Sequence, residues 1–523
     1  MIMKKIAFVL AAVTAFVSCQ KENIHTGETV QLSFRANLEV PGPDTKVALK
    51  GTDVVFVAGD SLSVFDGSSN NKFQTEEGGS NALFQGTAAN VASYLVVSPY
   101  SDSHKQISPS VVKFTIPDVQ TATIDGVDPN ALISAGLATP DGNVTLYNTV
   151  GLVQVVVPDG LKVKSIQVAG GKGQTIAIAG EFSFNADTKT FAIPDVSKTV
   201  TVITLVPAEG DEYIAPGTYY IAVRPKTTYD AGFSMAYVNE SNQLCKRTTA
   251  KALDIVRSHI VPLGSLDTSN YPAVTGTAVL RTSGDEVQFT GRVKKIAGGT
   301  GKANNDDSII KKIVFKAHTL YSQTYKTDAA LLSSGLGTVE IHGYLVGNVL
   351  YVCTEASTFT LQKISGDLFR QFVELEEVIF SDVTTQDETS FSYMFRNDAK
   401  LRKVDFGNAD FSKVKDFSYM FYVGEKNSLE YIDFGETATS AATTMQAMFN
   451  NSQNLKHLYL GTNFSLAPTV LNMFLNTGMQ TSINAAGDDK KKCQLYCSQS
   501  TYNAIKAASN TQFNDARFLL HAL

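Results

Sequence analysis

The sequence predicts a mostly β protein, with two tandem β-sandwiches followed by a short solenoid of stacked repeats. Residues 28–267 are short alternating runs, such as Val30-Gln31-Leu32-Ser33-Phe34, separated by Gly, Pro, Asn and Asp. That is the pattern of half-buried strands joined by turns. In the last third, four Met-Phe pairs (Met394-Phe395, Met420-Phe421, Met448-Phe449 and Met473-Phe474) recur at intervals of 26, 28 and 25 residues. An apolar triplet follows three of them at a nearly fixed offset: Leu401, Val404, Phe406; Leu429, Ile432, Phe434; Leu455, Leu458, Leu460. A unit this short cannot bury its own apolar face, so neighbouring copies must stack.

The elements follow in order. Lys4 and Lys5 precede an apolar run, 6–17, that ends at Ser18-Cys19. The run is too short to span a bilayer, and a Cys directly after a small residue is where a bacterial lipoprotein signal ends. Residues 1–18 are therefore read as a signal peptide, and Cys19 as the lipidated first residue of a tether, 19–27. Several acyl chains on Cys19 would anchor far more firmly than one. Gln20, Lys21 and Glu22, followed by Asn23, resemble the charged export signal that sends lipoproteins of some Gram-negative gut and oral anaerobes to the outer face of the outer membrane. The expected location is the outer membrane, lipid-anchored and exposed at the cell surface, with membrane contact through the anchor only.

Strands at 30–38, 54–57, 61–65, 93–97 and 112–116 make a first sandwich, 28–148. Strands at 152–157, 166–168, 175–178, 191–193, 200–206 and 219–224 make a second, 149–267, with the joint near Asn148. A Gly- and Asp-rich connector or small β unit, 268–308, comes next. Residues 309–364 are read as the N-terminal cap of the array and 365–480 as the repeats, with a degenerate first copy at Phe369, Leu375, Val378 and Phe380. A C-terminal cap, 481–523, holds a last strand at 494–496 and a helix at 500–509. The repeat period lies within the leucine-rich-repeat range, each triplet fitting one short strand with alternate residues inward. Each Met-Phe pair closes a short helical turn behind its strand.

The formal net charge of −6 comes with no basic stripe, which argues against nucleic acid. Cys493 and Cys497 lack a second pair or a nearby His and cannot form a zinc ribbon. They are read as independent thiols, with a strained short-loop disulfide as the alternative. Gly298-Gly299-Thr300-Gly301-Lys302 fails as a phosphate loop, because Ile296 stands at the first glycine position and Ala303 at the Mg-binding hydroxyl position. Asn304-Asn305-Asp306-Asp307 lacks EF-hand spacing. The seven histidines show no metalloprotease motif. No cofactor, metal site or catalytic residue is assigned, and the chain is read as a non-enzyme. A hydrolase with a triad assembled from distant residues stays as a residual alternative.

Residues 24–265 resemble the fimbrillin family of surface lipoproteins. The likeness rests on Cys19, Val30-Gln31-Leu32-Ser33-Phe34, the run Val55-Phe56-Val57-Ala58-Gly59-Asp60-Ser61-Leu62-Ser63-Val64-Phe65, and Pro216-Gly217-Thr218-Tyr219-Tyr220-Ile221. The resemblance implies two transthyretin-like sandwiches and a place in or beside a fimbrial assembly. Two departures weaken the stalk-subunit reading. Stalk fimbrillins mature by cleavage after a basic residue, whereas Arg35 is the only arginine before Arg224 and sits inside an expected strand. A free C-terminal donor segment is also replaced by a further domain.

The blocks from Phe391-Ser392-Tyr393-Met394-Phe395 to Phe406, and from Phe417-Ser418-Tyr419-Met420-Phe421 to Phe434, resemble BspA-like leucine-rich repeats. Phe411-Ser412-Lys413-Val414 between them matches that class's linker. This resemblance implies surface adhesion, with a host or microbial surface protein or glycan as partner. A structural fimbrial role, as a tip or anchor component bound to other fimbrial subunits, is the alternative. Met394, Met420, Met448 and Met473 are core scaffold. A ligand would meet the outward positions of the triplets: Arg402, Lys403, Asp405, Glu430, Tyr431, Asp433, Lys456, His457 and Tyr459.

Overall fold

The computed structural model describes residues 28–39, 55–140, 142–171, 176–195, 198–230, 232–284, 287–301, 309–320, 331–424, 428–478 and 492–523. The chain is mostly β, organised around three principal hydrophobic cores. No described helix is long and apolar enough to cross a membrane.

In the strand Thr29–Leu38, Leu32, Phe34 and Ala36 are buried while Gln31 and Arg35 are exposed, the two-residue period of a strand with one face on a core. This strand pairs on both edges, antiparallel with Asn81–Ala89 and parallel with Asn143–Asn148. The sheet thereby closes into a seven-stranded barrel rather than the expected sandwich. Alternation along one strand gives its inward face but not its neighbours, so closure was not readable from the pattern. Phe34, Phe73, Phe84 and Tyr94 fill the barrel, with Phe34 centred 5.4 Å from both Phe73 and Tyr94.

Not every strand before Asn148 joins the barrel. Val111–Ile116 pairs with Ala179–Asn185, setting Phe114 against Phe182, and Val119–Thr121 runs parallel to Val202–Val206. The second core thus takes strands from both sides of the expected joint. At that joint Glu39 and Arg257 form a two-pronged ion pair, with Arg257 Nη2 2.9 Å from Glu39 Oε1. Arg257 Nη1 also donates to the Asn148 carbonyl at 3.0 Å.

The third core belongs to a nine-stranded sheet. Its order is Ile341–Val346, Val349–Thr354, Lys312–Lys316, Glu377–Ile379, Lys403–Asp405, Tyr431–Asp433, His457–Gly461, Cys493–Cys497 and Phe518–Ala522. Only the first pair is antiparallel; every later pair is parallel. The triplet residues Val404, Phe406, Ile432, Phe434, Leu458 and Leu460 all face inward and are buried. Behind the strands, Phe369, Phe395, Phe421, Phe449 and Phe474 form a column of stacked rings, with centroids 5.2 to 5.6 Å apart.

The Met-Phe turns are not helical. Tyr393, Tyr419, Ala447 and Asn472, each just before a Met, are left-handed, with φ between 50° and 58°. That conformation sends the neighbouring amides out of the turn and into the next coil: Phe395 N–H bonds to Met420 O and Phe421 N–H to Met448 O, both at 3.1 Å. The turns therefore form their own inter-coil ladder. At the strand exits, Gly435 and Gly461 are also left-handed. A Cβ on either would lie 2.1 Å from the carbonyl oxygen of the preceding coil's glycine, Gly407 or Gly435, so only glycine fits.

Both ends of this unit differ from expectation. The connector holds a helix, Phe289–Ile296, whose Phe289 and Val293 join the third core. Thr290 Oγ1 donates to Leu368 O at 3.0 Å and Lys294 Nζ to Gln371 O at 2.9 Å, which covers the first coil. At the other end, the expected strand spans Cys493–Cys497 and the helix spans Gln499–Ala507, capped by Ser498 Oγ accepting from Thr501 N. A further strand, Phe518–Ala522, then completes the sheet. Cys493 and Cys497 are free and buried. Four residues apart on one strand they are separated by roughly 13 Å, beyond disulfide reach.

Candidate functional site

Outward positions of the parallel strands form one continuous surface, because parallel pairing in register puts equivalent residues of successive coils side by side. Two rows run across it. In one, Lys403, Tyr431, His457 and Gln494 are successive register partners; in the other, Asp405, Asp433, Tyr459 and Tyr496 are. Six of the nine candidate residues thus meet on one face. Arg402, Glu430 and Lys456 stand just before their strands instead, where Glu430 N–H bonds to Arg402 O and Lys456 N–H to Glu430 O. They form a rim beside the face.

Most charges here are satisfied within the protein. Glu430 bridges Arg402 at 3.3 Å and Lys456 at 3.0 Å. Hydrogen bonding from Lys456, helped by Arg402, holds its carboxyl below the usual range despite partial burial. Lys403 pairs with Asp405 at 3.2 Å, and its ammonium lies 4.9 Å from the Tyr431 ring centre. Tyr431 donates to Asp433 Oδ2 at 2.9 Å. Burial, reinforced by this carboxylate, pushes the Tyr431 phenol well above its ordinary pKa.

The sequence reading missed the far end of the face. Tyr496 stacks on Tyr459 at 5.6 Å and on His521 at 4.5 Å, while His521 Nε2 lies 2.7 Å from Gln494 Oε1. Gln494 and Tyr496 fall on the expected strand 494–496, where the broken apolar triplet hides their place on the face. His521 lies on a strand that the pattern did not reveal at all.

Tyr459, Tyr496 and His521 stack ring on ring along the row, and the Tyr431 hydroxyl is taken up by Asp433. The charges are paired in place, with His457 the exposed member of the central rows. Such a surface can make many shallow polar and aromatic contacts with a broad partner. Arg35, by contrast, is locked: its strand is paired on both edges and its guanidinium meets Glu77 at 3.4 Å. Cys19, Gln20, Lys21 and Glu22 lie outside the described residues.

No protein-family model matches the chain, and no curated protein matches it. Similar solved structures include a candidate cell adhesion protein from Bacteroides ovatus, at 13% identity and a TM-score of 0.31, covering 47% of this chain and 96% of that one. A fimbrial assembly protein from Parabacteroides distasonis has 12% identity and a TM-score of 0.24, covering 46% and 93%. The tip fimbrial protein Mfa3 from Porphyromonas gingivalis, truncated at its C-terminus, has 9% identity and a TM-score of 0.20, covering 42% and 81%.

Proposed function

We propose that this chain is a surface-anchored lipoprotein that mediates adhesion or ligand binding through BspA-like leucine-rich repeats, about 365–480, carried on a fimbrillin-like stem. The observation that supports this reading is the outward face of the parallel ladder. Lys403, Tyr431, His457 and Gln494 in one row, and Asp405, Asp433, Tyr459 and Tyr496 in the other, line up over successive coils. Side chains ordered in this way suit a broad protein or glycan surface better than a small substrate. Cys19, with Gln20, Lys21 and Glu22 behind it, would hold the molecule on the outer leaflet.

The test uses the full chain on intact cells. Tyr431→Ala, His457→Ala and Tyr459→Ala should each reduce capture of a host or glycan partner while leaving surface abundance unchanged. Binding that survives all three would remove the proposed face. Cys19→Ala should release the chain from the outer-membrane fraction after a salt wash, and retention there would refute the anchor. Recovery of a ladder of fimbrial subunits instead of a host or glycan partner would favour the structural fimbrial role.

A further inference from the structure

We propose that the cleft between the barrel and the second core is a binding site for a small hydrophobic amine, a ligand that joins an apolar body to a cationic head. The cleft has a volume of about 390 Å³, within the range of small-molecule sites, and such sites favour the seam between two packed units. Leu38 and Phe56 on one wall pack with the barrel core, Leu152 and Tyr220 on the other with the second core. Every lining residue falls between Leu38 and Tyr220, so the cleft shares none with the ladder face.

Backbone geometry sets both walls. Phe56 is buried in the barrel, with its N–H and C=O bonded to Gly79 at 2.9 and 2.8 Å. Its neighbours on the extended segment therefore turn the other way, and Val55 and Val57 are 46% and 58% exposed. An exposed valine alone signifies little, but these two line one concavity with Leu152 and Tyr220. Asp60 closes the turn that follows: its N–H donates to Val57 O at 3.0 Å, and its Oδ2 accepts from Val57 N–H at 2.9 Å. That bond holds the carboxylate beside Val57. Across the cleft, Asp125 N–H donates to Thr218 O at 2.8 Å and Tyr220 N–H to Gly126 O at 3.1 Å, which fixes Asp125 along the strand Gly217–Val223.

Charge selects the occupant. Asp60 and Asp125 both line the cleft, and no basic residue does. Among the described residues neither carboxylate is ion-paired. A neutral apolar ligand would strip water from these carboxylates without compensation, and an anion would be repelled. A cationic head satisfies them while its apolar body covers Val55 and Val57. Since a cavity of about 150 Å³ takes a benzene ring, this one has room for a ring and a short chain bearing the ammonium.

The experiment is isothermal titration calorimetry on the full chain carrying Cys19→Ala, which keeps acyl chains out of the cleft. The probe is 2-phenylethylamine, with 2-phenylethanol and phenylacetate as its neutral and anionic counterparts. The amine should bind saturably, at least about tenfold more tightly than either counterpart. Asp60→Asn keeps an acceptor for Val57 N–H, and Asp125→Asn keeps the backbone bond to Thr218. Each should weaken the amine severalfold while the unfolding transition stays in place. Val57→Lys, at an exposed position, puts an ammonium of the protein's own into the cleft and should abolish binding, whereas Tyr431→Ala on the ladder face should leave it intact. Absence of saturable amine binding overturns the proposal, as does equal affinity for phenylacetate, an affinity that neither aspartate substitution changes, or binding that survives Val57→Lys.

Discussion

His104 is only 5% exposed, with its Nδ1 3.4 Å from Ser63 Oγ. Burial lowers its pKa from 6.5 to about 4. Since the folded value is depressed, the unfolded chain binds the proton first as pH falls. Stability is therefore full above about pH 6.5 and drains away as pH falls through about 4, by up to about 3 kcal/mol. His104→Gln should lose less stability than the native chain between pH 7.5 and 4.5 in urea titrations. Equal losses would show that His104 does not set this dependence. Phe421 and His457 make the complementary contrast. Phe421 is fully buried between Phe395 and Phe449, so Phe421→Ala should cost about 3–5 kcal/mol through the cavity it leaves. His457 is exposed, and His457→Ala should change stability by no more than about 0.5 kcal/mol. Denaturation midpoints decide both; a harmless Phe421→Ala would contradict the stacked column. Tyr431, with its bond to Asp433 and Lys403 above its ring, should be costlier to remove than a purely outward residue.

The elements that could be read from the sequence are those whose signal lies within a single coil. Val404, Phe406 and their equivalents had to recur because every coil needs the same two inward side chains, and the same alternation turns Lys403, Tyr431 and His457 outward. Features set by the contact between coils were illegible. The Arg402, Glu430 and Lys456 rim depends on register, the left-handed turn residues depend on the ladder they serve, and Gly435 and Gly461 depend on how closely the coils approach. The helix Phe289–Ile296 was masked by a run in which few residues are apolar. The strand Phe518–Ala522 has no Met-Phe pair to announce it. Coil spacing makes its own prediction. Gly435→Ala places a Cβ against the Gly407 carbonyl at a left-handed φ of 59°, so it should destabilise the chain by at least about 2 kcal/mol. Gly335, which has open space around its Cβ position, should tolerate alanine within about 0.5 kcal/mol. If thermal or urea unfolding separates the two variants by less than the error of the fit, the coils can relax apart and the glycines are not required.

At the scale of the molecule, polar links add to the apolar contacts between the cores, among them Leu320 packed with Ala169, Ala236, Val238 and Leu244. Gln167 reaches from the second core into the third unit, donating to His318 O at 2.6 Å and accepting from Leu320 N at 2.8 Å, and Lys246 pairs there with Glu355. Between the barrel and the second core, where Phe65, Leu95 and Val97 of the barrel strands join the second core directly, Glu39 with Arg257 adds a polar link. Both side chains are about four-fifths buried. Burial alone would raise the Glu39 pKa, but Arg257, Ser258 and the Asn148 amide together hold it below 4.5. A folded pKa lowered in this way means that the pair's contribution is present above about pH 4.5 and is lost as pH falls through the lowered value. Arg257→Ala should therefore destabilise the chain at neutral pH by about 2 kcal/mol, since it leaves a partly buried carboxylate with weaker partners. Glu39→Gln in the same chain should recover part of that loss, giving a coupling of about 1 kcal/mol or more in a double-mutant cycle. Repeated at a pH below the lowered folded pKa, where Glu39 is protonated in both states, the cycle should close to near zero. Coupling that persists unchanged at low pH would mean that Arg257 acts through its packing and its bond to Asn148 O, and that the barrel is held to the second core by contacts other than this charge pair.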